Sequence, residues 1–143
     1  MKRRHLVSML ALAPWMLPSS FANTRATLEE LYGTRPISDG RVDLLTPALA
    51  ENGHSVSLRV EVASPMNETD YVREITVIAG VNPVPRIARY RFSPASGIAA
   101  VETRVRLADS QVITAIAEMS DGSLWRGTST TIVTLAACVE PLL

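Results

Sequence analysis

The segment SLRVEV at residues 57–62 alternates strictly between polar and apolar side chains. A period of two places Leu58, Val60 and Val62 on one face, which is the pattern of a β-strand with one buried side. The segment VETRVRL at residues 101–107 repeats this alternation, with its charged side chains on the opposite face. Two such strands predict a sheet that covers a hydrophobic core on one side and meets water on the other.

Weaker strand patterns lie on either side of these two segments. They cover residues 41–45, 71–79, 87–92, 111–119 and 130–135, separated by stretches rich in Gly, Pro, Asn and Asp. The Asp121-Gly122 pair predicts a hairpin. About seven short strands at this spacing predict an all-β fold, an immunoglobulin-like antiparallel β-sandwich. The Cys–Trp–Cys core of antibody domains is absent, because the chain has a single cysteine.

One short helix is predicted before the strands, over residues 24–33. Thr27 and Glu30 fit a capping box, and Gly33 fits a left-handed stop. Three apolar side chains share one side of this helix, at Leu28, Leu31 and Tyr32. A helix of under three turns is unstable alone, so we expect it to dock on the sandwich.

Residues 1–22 have the form of an export signal. The basic cluster Lys2-Arg3-Arg4 precedes an apolar stretch at 6–17, and small residues precede a predicted cleavage site after Ala22. The paired arginines favour a twin-arginine signal, with an ordinary secretory signal left open. The apolar stretch is too short to span a hydrocarbon core of ~30 Å, so no membrane anchor is predicted. The predicted organisation is a signal at 1–22, one domain at 23–135 and a tail at 136–143.

The charge balance argues against nucleic acid or an anionic membrane as partner. The chain has 14 basic and 14 acidic residues, and the predicted signal holds three of the basic ones. Its removal leaves 11 basic against 14 acidic residues, a formal charge of −3. A mildly acidic protein has no general attraction to polyanions.

The only cysteine, Cys138, follows the last apolar run and therefore lies on the predicted tail. In an exported protein an unpaired cysteine indicates an intermolecular bond or a free, reactive thiol. A packed, inert cysteine stays open as the alternative. A thiol without a neighbouring base still serves as an attachment point if a partner enzyme supplies activation.

Residues suited to catalysis are scarce. His54 is the single histidine beyond the signal, and one histidine cannot build a zinc site, so we expect a surface turn position and no metal or cofactor. Arg104 and Arg106 point the same way on one strand, which favours a solvated face over contact with an anionic partner. Met66 and Met119 are expected to fill the core instead of binding copper. The chain is therefore predicted not to be an enzyme.

Several motifs resemble the SoxY family of sulfur-carrier subunits. They are DLLTP at 43–47, AENG at 50–53, SPM at 64–66, DYV at 70–72, NP at 82–83 with Pro85, TRVRLA at 103–108 and SDG at 120–122. The resemblance implies an immunoglobulin-like sandwich in the periplasm that pairs with a second sandwich, SoxZ. It also implies a substrate held covalently on a cysteine near the C-terminus, here Cys138. Partner oxidoreductases or hydrolases of the thiosulfate-oxidising Sox system would load and unload it.

The tail departs from the family pattern. Members of the family end in Gly-Gly-Cys-Gly-Gly, whereas this chain reads Ala136-Ala137-Cys138-Val139-Glu140, similar to a related group with Ala-Ala-Cys-Ile-Glu. Alanine and valine restrict the backbone and add bulk, and the nearby carboxylates disfavour the thiolate. We therefore expect partner enzymes to recognise the four neighbours of the cysteine through a wider or different site. Whether the cargo is thiosulfate sulfur or another thiol-linked group stays open.

Two other functions stay open. Cys138 in an intermolecular disulfide would make the protein a structural module that forms a covalent dimer. Alternatively, Cys138 is the nucleophile of an enzyme whose base comes from across an interface. The strand at 71–79 also allows two interpretations, because Ile75, Val77 and Ile78 put apolar side chains on both of its faces. This arrangement fits either an interface with a SoxZ-like subunit or an ordinary core edge.

Overall fold

The computed structural model describes residues 19–136 of the chain. Within that range the chain forms helix α1 (Ser19–Tyr32), one 3₁₀ turn (Pro94–Ser96) and nine strands. The strands are β1 (Ile37–Asp39), β2 (Val42–Leu45), β3 (Leu49–Ala50), β4 (Val56–Val62), β5 (Val72–Ala79), β6 (Arg86–Arg91), β7 (Ala99–Val105), β8 (Gln111–Met119) and β9 (Leu124–Val133).

The strands form two sheets, which confirms the predicted immunoglobulin-like sandwich. The larger sheet has the order β1-β9-β8-β5-β6, with β3 also paired to β9, and the smaller has the order β2-β4-β7. Pairing is antiparallel except at β1 and β3, which both run parallel to β9. These two strands were not predicted, because three and two residues are too few to show a period of two.

The core lies between the sheets and follows the alternation seen in the sequence. Every second residue of β4 is buried, from Val56 to Val62, and its polar residues are exposed. Met66 and Met119 are both buried in this core, as predicted. Residues 19–136 contain no cysteine and therefore no disulfide. Burial of the apolar layer between the two sheets is the main source of stability for this part of the chain.

Helix α1 covers part of the outer face of the larger sheet. Tyr32 packs there with Ile116 and Leu124, and it shares a hydrogen bond with Thr76. Burial raises the pKa of Tyr32 above its ordinary value. Ile78 is fully buried within this single chain, as expected for an ordinary core edge.

The helix begins earlier than predicted. It starts at Ser19, so Thr27 lies in its interior and donates its hydroxyl to the carbonyl of Asn23 at 2.8 Å. The predicted capping box is therefore wrong, whereas Gly33 has a φ of +61° and confirms the left-handed stop. Cleavage after Ala22 stays a prediction. Within the described residues no helix has the length and apolarity needed to cross a membrane.

The hairpin at Asp121-Gly122 is confirmed and leads directly into β9. Gly122 has a φ of +82°, and the amide of Met119 donates to the carbonyl of Ser123 at 2.9 Å. The last strand therefore starts at Leu124, six residues before the predicted 130–135. The first half of this strand was not predicted, because Arg126 and Gly127 interrupt the alternation of apolar and polar residues.

Candidate functional site

The last described residues are fastened to the sandwich by backbone hydrogen bonds. The amide of Thr134 donates to the carbonyl of Ala50 at 3.0 Å, and the amide of Gly53 donates to the carbonyl of Leu135 at 2.9 Å. The hydroxyl of Thr134 also donates to the carbonyl of Glu51 at 2.8 Å. We call this end of the sandwich, formed by residues 50–55, 80–86, 105–111 and 133–136, the arm end. The polypeptide leaves β9 from a fixed point at the arm end.

The predicted attachment residue and most of its neighbours lie beyond this point. Cys138, Ala137, Val139 and Glu140 lie outside the described residues, and Ala136 is the last described residue and is half-buried. Cys138 lies three positions after Leu135. A chain of that length spans at most about 11 Å. The anchored Leu135 therefore limits the space that the thiol can reach.

His54 is exposed in the turn before β4, as expected for a surface position. Its amide donates to the Oδ1 atom of Asn52 at 2.8 Å, which shapes the turn. The adjacent Gly53 is the residue that binds the carbonyl of Leu135. The fold thus brings the histidine to the base of the tail, although 84 positions of sequence separate it from Cys138. Sequence reasoning missed this proximity because it depends on the parallel pairing of β3 with β9.

A buried amide joins the loops of the arm end. Asn82, in the turn between β5 and β6, donates to the carbonyl of Arg106 at 2.8 Å. Its Oδ1 atom accepts from the amide of Ala108 at 2.9 Å and from the side chain of Gln111 at 3.0 Å. The amide of Leu107 in turn donates to the carbonyl of Gly53 at 2.9 Å. Hydrogen bonds therefore join three segments into one unit: the turn between β5 and β6, the crossover from β7 to β8, and the base of the tail.

Replacing Asn82 by alanine is expected to lower the free energy of unfolding by about 2 kcal/mol, because it leaves buried partners without their hydrogen bonds. Urea unfolding followed by circular dichroism measures this loss. The control is Asn52→Ala, an exposed turn residue with one hydrogen bond, for which we expect about 0.5 kcal/mol. Equal losses in the two variants would contradict the role given to Asn82.

An open groove runs between the edge strands β6 and β7 at the arm end. It has a volume of about 430 Å³ and is lined by Arg86, Arg104 and Arg106, with Tyr90 and Ile87 among its other walls. Arg104 and Arg106 are exposed, as the strand pattern predicted, but they share this groove with a third arginine from the other sheet. No local sequence pattern indicates that convergence.

Among residues 19–136, no three His, Cys, Asp or Glu side chains lie close enough together to hold a metal ion. All buried side-chain nitrogen and oxygen atoms of this range have hydrogen-bond partners. The candidate functional features of the described residues are the anchored base of the tail and the basic groove beside it.

Comparisons with known proteins point to one family. Residues 28–138 match the family model described as sulfur oxidation protein SoxY. The solved structure of the sulfur carrier protein SoxY from Chlorobium limicola f thiosulfatophilum superposes with a TM-score of 0.67 at 22% identity, covering 80% of this chain and 99% of that one.

Superoxide reductases share the fold. Neelaredoxin from Ignicoccus hospitalis superposes with a TM-score of 0.58 at 20% identity over 66% of this chain and 80% of its own. A putative superoxide reductase from Thermotoga maritima gives 0.57 at 20% identity, over 72% and 96%. No individually curated protein sequence matches the chain. At these identities the structural likenesses show the fold alone.

Proposed function

Because this chain belongs to the SoxY family of sulfur oxidation proteins, we propose that it is a carrier and not an enzyme. It holds a sulfur-containing intermediate on the thiol of Cys138 and presents that intermediate to partner enzymes. The observation that carries this proposal is the family match, which extends over residues 28–138 and so includes the cysteine.

The geometry of the arm end fits a carrier. A carrier needs a rigid base and a reactive group on a short tether, so that partners meet the cargo at a predictable distance. The hydrogen bonds of Thr134 and Gly53 supply the base, and residues 136–143 supply the tether. Ala136, Ala137, Val139 and Glu140 are the residues that a partner enzyme would recognise around the sulfur.

The chemistry required of this chain is limited to forming and breaking a bond at sulfur. A thiolate attacks a sulfur electrophile, and a partner enzyme supplies the activation and removes the product. The proposed partners are periplasmic oxidoreductases or hydrolases. The cargo is either thiosulfate sulfur or another thiol-linked group.

The proposed location is the periplasm, reached by means of the signal at residues 1–22. A twin-arginine signal exports folded proteins, so a second, SoxZ-like sandwich bound to this one would be exported with it. A stable heterodimer of this kind buries on the order of 1,600 Å² in total.

Tetrathionate tests the accessibility of the thiol without any partner enzyme. The thiolate of Cys138 attacks an inner sulfur of tetrathionate, displaces thiosulfate and keeps an S–SO₃⁻ group in disulfide linkage. We expect native protein to be modified at a rate within about threefold of the rate in urea, as intact mass spectrometry measures. Modification only after unfolding would mean that the thiol is sealed in the fold. A disulfide-linked dimer as the sole product would support the structural module instead.

A further inference from the structure

Three arginines of the described chain have no acidic partner. Residues 19–136 contain 11 arginines, and eight of them form ion pairs with carboxylates. The remaining three are Arg86, Arg104 and Arg106. Arg104 has a long hydrogen bond of 3.5 Å to the hydroxyl of Ser55, which does not neutralise its charge.

These three arginines all line the groove between β6 and β7. Arg86 lies on β6, Arg104 lies on β7 and Arg106 directly follows β7, so their sequence positions are up to 20 residues apart. The other lining residues are Asn82, Val84, Ile87, Ala88, Tyr90 and Val105, none of them acidic. The groove therefore concentrates positive charge in a chain whose total formal charge is zero.

A second groove of the molecule also contains arginines, but there neighbouring carboxylates balance the positive charge. That groove contains Arg73 and Arg91, and its walls also carry Glu74 and Glu118. Glu74 lies 3.2 Å from Arg91, and Glu118 lies 3.8 Å from Arg73. The groove between β6 and β7 lacks this internal compensation, so its charge is available to a partner.

The basic groove is coupled to the base of the tail. The carbonyl of Arg106 accepts the hydrogen bond of Asn82, and the next residue, Leu107, binds the carbonyl of Gly53. Gly53 itself binds the carbonyl of Leu135. A molecule docked in the groove therefore sits at the same end of the sandwich from which the polypeptide runs on to Cys138.

The character of the groove fits a protein surface better than a small anion. A small oxyanion is usually held by converging, buried donors, whereas these guanidinium groups are exposed. Val84 is 70% exposed beside them, and Tyr90 adds an aromatic wall. Arginine and tyrosine next to exposed apolar surface are the side chains that dominate protein–protein binding energy.

We propose that this groove is the docking site for a carboxylate-rich surface of the protein that acts on the tail. The proposal rests on the carrier function proposed above. Complementary charge would speed the encounter and set the orientation in which the partner meets the cysteine.

The first test uses an acidic peptide as probe. The peptide is fluorescein-labelled, about ten residues long, with glutamate alternating with leucine and tyrosine, and fluorescence anisotropy measures its binding to the full mature chain. We expect Arg86→Gln/Arg104→Gln/Arg106→Gln to weaken binding at least about tenfold. The control Arg25→Gln/Arg59→Gln/Arg73→Gln removes the same charge from exposed sites elsewhere, and we expect a change below about twofold. Binding should also weaken as salt rises from about 50 to 200 mM.

Three outcomes would overturn the proposal. They are an absence of peptide binding, equal weakening in the two triple variants, and displacement of the peptide by sulfate at concentrations similar to that of the peptide. The last outcome would identify a small-oxyanion site.

A second test separates this inference from the carrier function. Protein loaded at Cys138 is mixed with periplasmic extract of the same organism, and mass spectrometry follows the removal of the adduct. We expect removal to slow at least about tenfold in the groove triple variant and to be unchanged in the control triple. Equal rates would contradict docking in the groove while leaving the carrier intact. Conversely, Cys138→Ser should bind the peptide as the natural chain does, whether or not the cysteine carries cargo.

Discussion

Replacing Gly127 by alanine is expected to lower the free energy of unfolding by about 3 kcal/mol and the melting temperature by about 12 °C. Gly127 lies on β9, where the larger sheet comes close to β2 of the smaller sheet. A Cβ atom at this position would lie 2.5 Å from the carbonyl oxygen of Val42 and 2.9 Å from its Cγ1 atom. The nearest neighbour is backbone, so a rotamer change cannot relieve the clash and the two sheets must move apart.

Gly97→Ala is the matched control for this substitution. A methyl group there meets nothing within 4 Å, but the φ of +72° disfavours any residue with a Cβ atom. We expect a loss of about 1 kcal/mol from backbone strain alone. Calorimetry of both variants separates the two causes. If Gly127→Ala is no less stable than Gly97→Ala, the close approach of β2 and β9 is not as described.

Cys138→Ser is expected to abolish covalent loading completely while leaving the fold unchanged. The chain has no other cysteine, so no second residue can take over the thiol chemistry. The tail lies beyond the hydrogen bonds of Thr134 and Gly53, and we expect the free energy of unfolding to change by less than about 0.5 kcal/mol. Intact mass spectrometry after tetrathionate treatment and urea unfolding measure the two quantities.

Ala137→Ser is the control for this variant, because it adds a hydroxyl to the neighbouring residue and keeps the sulfur. With tetrathionate, which requires no partner enzyme, it should load as the natural chain does. Adducts on the Cys138→Ser variant would show that the cargo is held elsewhere and would remove the basis of the proposed function.

The alternating segments made the fold predictable. In β4 each second side chain is buried, and in β7 the charged residues Glu102 and Arg104 face solvent, so a period of two was enough to identify both strands. The turn at Asp121-Gly122 was predictable because few other residue pairs adopt the backbone conformation that it requires. Helix α1 was predictable in kind but not in extent, since the apparent capping residue Thr27 bonds within the helix instead.

The features of the arm end were not predictable, because they depend on long-range pairing. The parallel pairing of β3 with β9 brings the turn containing His54 to the base of the tail. The crossover from β7 to β8 gives Asn82 its partners, and the edge positions of β6 and β7 bring Arg86 to Arg104. Each of these contacts joins residues at least 18 positions apart and leaves no local pattern in the sequence.

The cysteine itself was the residue that the sequence identified most directly, as the single thiol of a chain with a predicted export signal. Its chemistry follows from residue type and from its position on the predicted tail, and neither depends on the arrangement of the sheets. The structure adds the anchored Leu135 and the basic groove, which give the tail a fixed origin and a neighbouring surface.

The most direct measurement is the mass of the C-terminal tryptic peptide from protein purified out of its native host without reductant. Cleavage after Arg126, the last basic residue, releases residues 127–143, a peptide that contains Cys138 and no other thiol. We expect a fraction of this peptide to carry a defined, reductant-sensitive addition, such as about 32 Da for one sulfur atom of a persulfide. A peptide found only as the free thiol, or only as a disulfide between two copies, under conditions of active sulfur metabolism would contradict the carrier function.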